Sequence, residues 1–333
     1  MNLEQAREAL ANTKTLNDVD LSGTDCSGLD LSACHLMNVK LDGANLDRVQ
    51  MNGAQLQNVS LKDAQLQGIQ AVESSFIDSD FSGANVQGAD LSRSTFSNCK
   101  LDGTDFTEAQ LLRTDMDECS FSKTNFSRAN LNRWTVMNGD LSSASFDGAV
   151  LLQAYLKACN LNGQRFPGCD LTMTIFNDAQ LKKADFSNIV LDRTSFLGAQ
   201  MQGAVLNGVH GTYTALMGAQ LAQAQLQGSS FHMADASNAD FTQVHGNAMR
   251  WNMSVLQKTS WQGAQLKNMQ MIHCDLAHAN FSDAECSMAN LSGSNLHAVQ
   301  QQNTRWDGAN FDGSRATDPM LERAEKWQPT SVK

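Results

Sequence analysis

The sequence predicts an all-β solenoid, short extended segments wound into stacked coils, with a short helix at each end. Three observations lead there. First, a large apolar residue recurs at every fifth position, as Phe121, Phe126 and Leu131 do in the stretch F-S-K-T-N-F-S-R-A-N-L. That beat is neither the helical period of 3.6 nor the strand period of 2, so it marks a repeat. Second, from Leu16 to Phe311 nearly every position ending in 1 or 6 is Leu, Phe, Met, Val, Cys or Trp, without insertion or deletion over about 60 repeats. Ala71, Gly211, Ala236, Gly246 and Gln301 are the exceptions. Third, a five-residue side is too short for an ordinary strand, so the chain must turn after each beat. Glycines such as Gly43, Gly53, Gly83, Gly103 and Gly203 permit those corners.

The beat has an inner grammar of small residue, Asp or Asn, then Leu or Phe. Ala44-Asn45-Leu46, Ala89-Asp90-Leu91, Ala129-Asn130-Leu131, Ala184-Asp185-Phe186, Ala279-Asn280-Phe281 and Ala309-Asn310-Phe311 carry it. In this the chain resembles the pentapeptide-repeat proteins over about nine-tenths of its length. One such triplet means nothing, whereas an unbroken run is highly specific. The resemblance implies a right-handed, four-sided parallel β-helix with one repeat per side and four per coil. At ~4.8 Å per layer, about 15 coils would make a rod roughly 70 Å long. The central Leu or Phe and the small residue before it should point inward and the rest outward.

In chain order, residues 1–15 are expected to form a cap. Asn2-Leu3-Glu4-Gln5 reads as a capping box, and Leu3, Ala6 and Leu10 share one helical face. A helix over residues 3–13 would cover the first coil's open ladder. Residues 16–315 are expected to be the repeat. Within it Phe106, Phe126, Phe146, Phe166 and Phe186 fall 20 apart and should stack in one column. Trp251 and Trp261 fall on opposite sides of one coil, with Ala236 and Gly246 on the other sides, so large residues offset small ones. Residues 316–333 are expected to be a second cap and tail. Asp318-Pro319 starts a helix, and Met320, Leu321, Ala324 and Trp327 give it an apolar face. The resemblance adds another use for this end, pairing of two chains into a homodimer.

Composition narrows the function class. The chain carries 35 acidic and 24 basic residues, a net of −11, and residues 1–120 hold 19 and 8 of them, which already makes −11. Net charge and the lack of a continuous basic face tell against direct nucleic-acid binding. Glu4, Arg7 and Glu8 interrupt any apolar signal core, and no long apolar run predicts a membrane span. All eight cysteines fall on inward positions without C-x-x-C spacing, as small buried hydrophobes do. The expected compartment is a reducing bacterial cytoplasm, with signal-peptide-independent translocation as another route.

Catalytic chemistry is not visible, and no enzyme, cofactor or metal is expected. His35, His210, His232, His245, His273, His278 and His297 fall in seven different columns, none stacked with a partner at ligand spacing. No nucleophile-base pair, phosphate loop or dinucleotide fingerprint occurs. The resemblance offers one alternative, since some family members mimic DNA and occupy the DNA site of type II topoisomerases. Asp20, Asp25, Asp30, Asp42 and Asp47 would then be the acidic face acting on DNA gyrase. B-DNA carries about one charge per 1.7 Å, so the first six coils would need about 17 charges to match it. The sequence also lacks the projecting loop insertions of plasmid quinolone-resistance members.

The most informative departure from a bland surface is one-sided. Folded at 20 residues per coil, Leu152, Tyr155, Met173, Ile175, Tyr213, Met217, Met233 and Met253 fall in neighbouring outward columns. Val150, Val190, Leu197 and Val255 join them, with Leu112 and Met137 just below. Arg113, Arg133 and Arg193 run alongside, below them Arg93, while the corner holding Ser22, Asp42, Lys62, Asp102 and Gln202 stays polar. Trp134 occupies a small-residue slot that its indole does not easily fit, so it is expected to turn outward and join the stripe. Aromatic, Met and Arg residues together are the composition of a protein-binding face. The expected function is a non-catalytic bacterial interaction scaffold, and the resemblance extends to secretion-system accessory proteins and effectors at the level of fold alone.

Overall fold

The computed structural model describes residues 2–327. They fall into two compact units, Met1–Leu181 and Lys182–Lys333. Each is built on the five-residue beat as a right-handed, four-sided parallel β-solenoid. The turns number about 12 in all, slightly fewer than the beat suggested. Beats from Gln301 onward keep ladder bridges but bury no residue, because no layer among the described residues covers them.

In the first unit, one side forms a seven-stranded parallel sheet in chain order. Its strands are β1 (Thr15–Asn17), β2 (His35–Met37), β3 (Gln55–Gln57), β4 (Ser75–Ile77), β5 (Thr95–Ser97), β6 (Asp115–Asp117) and β7 (Thr135–Val136). The register is 20 throughout, with Leu36 opposite Leu56 and Phe76 opposite Phe96. Other sides pair by single bridges such as Asp25 with Asn45 and Asn45 with Gln65. In the second unit β8 (His210–Thr212), β9 (Ser230–His232) and β10 (Arg250–Asn252) form a three-stranded parallel sheet in the same register.

Two features of each beat produce this winding. The Asp or Asn before the central residue closes the turn through its side chain: Asp20, Asp25 and Asp30 accept the backbone N–H of Ser22, Ser27 and Ser32 at 3.0, 3.1 and 2.9 Å. The next corner position takes the left-handed conformation. Gly103 does so at φ 69°, and a Cβ there would sit 3.8 Å from the Gly83 backbone. Asparagine is the other inexpensive choice. Asn38 and Asn58 adopt it and form a ladder, Asp18 accepting from Asn38 and Asn38 from Asn58, both at 2.8 Å.

The inward positions form the core. In the first unit Phe106, Phe126, Phe146 and Phe166 stack at 5.3, 5.6 and 6.0 Å between ring centroids. Phe186 belongs to the second unit and meets Phe196 edge-on at 5.6 Å. Trp251 packs edge-on against Trp261 at 6.2 Å, and Trp261 stacks on Phe241 at 4.1 Å. Gly246 is closely packed: a Cβ there would come within 2.8 Å of the Met249 sulfur and 3.2 Å of Leu266, so the Met249 side chain would have to move.

Trp134 corrects an expectation. It is fully buried, with ring centroids 5.1 Å from Phe126 and 6.4 Å from Phe146. The slot points inward whatever residue fills it. Room is found because Gly139 takes the next small slot, where even a Cβ would crowd Val136 and Phe121. The indole N–H is left without a hydrogen-bond partner, a cost of about 1–3 kcal/mol set against the ring contacts.

The two helices differ. α1 (Leu3–Thr13) starts with the capping box: the Gln5 N–H donates to Asn2 Oδ1 at 2.9 Å, and the Asn2 N–H to Gln5 Oε1 at 3.0 Å. It buries Ala6 and Leu10 and packs on β1. α2 (Pro319–Lys326) is capped by Asp318, whose carboxylate accepts the N–H groups of Met320 and Leu321 at 2.8 and 3.2 Å. It buries nothing: Met320 is 82% exposed and Trp327 71%. The apolar face expected to lie on the last coil faces solvent instead. No helix among the described residues is long and apolar enough to cross a membrane.

Candidate protein-binding face

Successive coils place residues 20 apart in one column, so the corner column through Arg113 and Tyr213 can be followed coil by coil. In the first unit it reads Ala33, Gly53, Glu73, Arg93, Arg113, Arg133, Gln153 and Met173. Arg93 pairs with Glu73 at 2.9 Å, Arg133 Nε donates to Gln153 Oε1 at 2.7 Å, and Gln153 Nε2 donates to the Met173 sulfur at 3.3 Å. Arg113 is exposed and has no ion-pair partner among the described residues. Flanking columns hold Leu112, Met137, Val150, Leu152, Tyr155 and Ile175, all exposed or half-buried, with Tyr155 bridged to Ile175 on adjacent coils.

In the second unit the column reads Arg193, Tyr213, Met233, Met253 and His273. The Arg193 guanidinium lies 6.0 Å from the Tyr213 ring centroid, a cation–π distance. Tyr213 is 53% and Met253 50% exposed, with Val190, Met217 and Val255 also open to solvent and Met233 half-buried.

Both stretches share the left-handed backbone found at corners throughout the repeat. Arg113, Arg133, Met173, Arg193, Tyr213, Met233 and Met253 all sit at φ between 52° and 58°. A bulky L-residue pays roughly 1–2 kcal/mol there, which glycine does not. Gly53 and Gly293 show that the column accepts glycine. Burial does not account for Arg, Met and Tyr at this corner, and the backbone cost is the one that Arg48, Glu108, Arg128 and Lys258 also bear in other columns.

Of the residues expected on the stripe, only Trp134 is absent from the surface. Apolar exposure is not confined to the stripe, since Met288, Phe311 and the α2 residues Met320 and Leu321 also meet solvent, but the corner holding Asp102 is polar: Asp102 accepts from the Ser122 N–H at 2.7 Å and the Ser120 hydroxyl at 2.8 Å. The acidic residues of the first coils do not gather on one strip. Asp20, Asp25 and Asp30 head three separate ladders, followed by Lys40, Asn45 and Gln50. Their carboxyls are held below the usual range, first by the hydroxyls of Ser22, Ser27 and Ser32 and then by the backbone N–H groups of those serines. Lys14 stands 3.8 Å from Asp30, Arg48 stands 3.9 Å from Asp47, and Asp42 accepts from the Lys62 N–H at 3.1 Å.

Cys159, Cys169 and Cys274 are poor nucleophiles. Burial pushes the Cys159 and Cys274 thiols up to about 12 and Cys169 to about 11, so the reactive thiolate is scarce. The histidines hold a second correction. His278 and His297 occupy different columns, as the register requires, yet they are neighbouring columns of adjacent coils. Their ring centroids are 5.3 Å apart, and Glu325 of α2 reaches both. Counting columns could not find a pair offset by 19 residues, and the third member comes from outside the repeat.

Two family descriptions match the chain: a pentapeptide repeat region over residues 72–146, and pentapeptide repeats (8 copies) over residues 15–53, 34–69, 140–172, 174–210, 212–243 and 262–297. No curated protein matches it. Among solved structures it is similar to trypsin-treated QnrB1, a plasmid-mediated fluoroquinolone resistance protein, at 18% identity, covering 78% of this chain and 95% of that one, with a TM-score of 0.28. It is also similar to HetL, a pentapeptide repeat protein involved in heterocyst differentiation regulation from the cyanobacterium Nostoc sp. strain PCC 7120, at 20% identity, 96% and 98% coverage and a TM-score of 0.18. A third, Rfr23 from the cyanobacterium Cyanothece 51142, shares 17% identity over 49% of this chain and 91% of that one, with a TM-score of 0.15. These scores are too low to bear on what this chain binds. The repeat descriptions cover most of the sequence, and the chain belongs to the pentapeptide-repeat family.

Proposed function

We propose that this chain is a non-catalytic, cytoplasmic bacterial scaffold that presents its Arg, Met and Tyr corner to a protein partner. One observation carries the reading. The corner column gathers Arg, Met and Tyr on successive coils, and their side chains meet solvent rather than core. Exposed aromatic, Met and Arg groups on a rigid support are what a binding face requires. A secretion-system accessory or effector-associated role is compatible with this surface.

The test is capture of partners from host lysate by the wild type and by a Tyr155→Asp, Ile175→Asp, Arg133→Glu triple variant. The proposal expects a band set retained by the wild type and by Asp102→Ala but absent from the triple variant. Equal capture by all three overturns it.

Mimicry of DNA toward gyrase draws less support, because Asp20, Asp25 and Asp30 head separate ladders instead of lining one strip, and Lys14 and Arg48 stand beside Asp30 and Asp47. The carboxy-terminal end favours pairing of two chains on a separate observation. There Phe281, Leu291, Leu296, Val299, Trp306 and Phe311 line a cavity of about 370 Å³, and α2 leaves Met320 and Leu321 exposed. Light scattering on the wild type and a Phe311→Glu variant checks it: a dimer that becomes a monomer supports pairing, and a monomer in both excludes it.

A further inference from the structure

We propose that His278, His297 and Glu325 form a binding site for a divalent first-row transition cation of the zinc class. The proposal is independent of the corner face. Glu325 Oε1 lies 3.2 Å from His278 Nε2, and Glu325 Oε2 lies 3.2 Å from His297 Nε2. One donor atom from each residue falls within 4.8 Å of the other two. In a tetrahedral zinc site, with metal–ligand bonds of about 2.0–2.2 Å, donors stand roughly 3.3–3.5 Å apart. The two histidine–carboxylate separations are close to that spacing, though each is to a different carboxylate oxygen, so a small turn of the Glu325 carboxylate is needed to offer one oxygen to the cation. The third contracts by rotation of the half-buried His278 ring.

His297 is the fixed member, 4% exposed. The three groups open on a cavity of about 650 Å³, also lined by Gln257, Asn295 and Leu321, with room for water to complete the coordination shell. Lys258 and Arg315 line the same cavity. Their charge opposes any cation and lowers the affinity, while the ligand set sets the choice: two imidazoles and one carboxylate suit zinc, cobalt or nickel, whereas Mg²⁺ and Ca²⁺ prefer oxygen ligands.

The cation-free state shows what uptake changes. The Asp318 backbone N–H donates to His297 Nδ1 at 3.1 Å, so the ring proton resides on Nε2 and is aimed at Glu325. A cation bound at Nε2 displaces that proton, which passes through solvent to Nδ1. Nδ1–H then faces the Asp318 N–H, and that contact must open. Cation binding and the Asp318–His297 hydrogen bond therefore exclude each other, so occupancy loosens the entry to α2 while Glu325 stays held. Ordinary metal-binding histidines donate through the second nitrogen, and this inversion makes affinity lower than for a closed structural site.

The full chain is titrated with Co²⁺ alone, following the visible ligand-field band, and with Zn²⁺ by calorimetry. One saturable equivalent is expected. His278→Ala and Glu325→Gln should each weaken it by more than the roughly 10–100-fold that loss of an outer-shell partner costs. His273→Ala, a nearby exposed histidine outside the cluster, should leave it unchanged. His278 is half-buried, so its variant keeps the test valid if the buried His297→Ala fails to fold. The Asp318 amide resonance should move on saturation with Zn²⁺. Absence of a stoichiometric site overturns the proposal, and so does binding that survives the combined His278→Ala and Glu325→Gln change.

Discussion

The stacked phenylalanines of the first unit and the corner column beside them obey the same 20-residue register but answer to different forces. Phe106, Phe126, Phe146 and Phe166 are buried, with rings 5.3 to 6.0 Å apart, and each is explained by the water it excludes and the neighbour it touches. Arg113, Arg133 and Met173 stand on a corner whose backbone would be better served by glycine, and their side chains remain accessible. Position within the beat thus separates residues kept for folding from residues that folding does not require. Perturbing the first set should cost stability, and perturbing the second should cost binding.

The largest effect is expected inside. Phe126→Ala removes a ring that touches Phe106, Phe146 and Trp134 and should destabilise by about 3–5 kcal/mol. Denaturant unfolding measures it, and a loss below 1 kcal/mol would mean that the column is not the packed core described.

Acid should act next, through the turns. Asp20, Asp25 and Asp30 have carboxyls held below their usual range by serine hydroxyls and N–H groups. A depressed folded pKa contributes stability that is fully present above the unfolded value of about 3.9 and is lost as pH falls through the lower folded value. Stability should therefore be flat above about pH 5 and fall below about pH 4. Asp25→Asn keeps the turn acceptor and should lessen that fall; an unchanged acid profile would argue against these turns as its source.

The smallest effect on stability is expected at the corner. Tyr213→Gly and Met233→Gly relieve a left-handed conformation but loosen the unfolded chain, so each should change stability by no more than about 1 kcal/mol in either direction. Thermal unfolding checks this, and a loss above 2 kcal/mol would make the corner structural.

Much of this was legible because the repeat fixes direction. Once Leu16 to Phe311 keep one beat, each residue's inward or outward sense follows, and so do the stacked column and the exposed corner. The inward rule also governs Trp134, whose size suggested otherwise; the compensating Gly139 lies five residues away and announces nothing alone. Helix α2 was legible as a helix from Asp318-Pro319, but not its placement. An amphipathic face predicts burial only if no stronger contact holds the helix elsewhere. Here Glu325 bonds to His278 and His297, and the Asp318 N–H to His297. By contrast α1 runs directly into β1, with Lys14 alone between them, and is carried onto the first coil.

The corner's role is tested most directly by measuring capture and unfolding on the same protein. The Tyr155→Asp, Ile175→Asp, Arg133→Glu variant changes outward side chains only, so each substitution should shift stability by about 0.5 kcal/mol or less. If the corner is a binding face, its central contacts should each be worth upwards of ~2 kcal/mol to the complex. The account predicts loss of partner capture with thermal unfolding close to wild type. A variant that still captures the same partners, or that loses them only by unfolding, contradicts it.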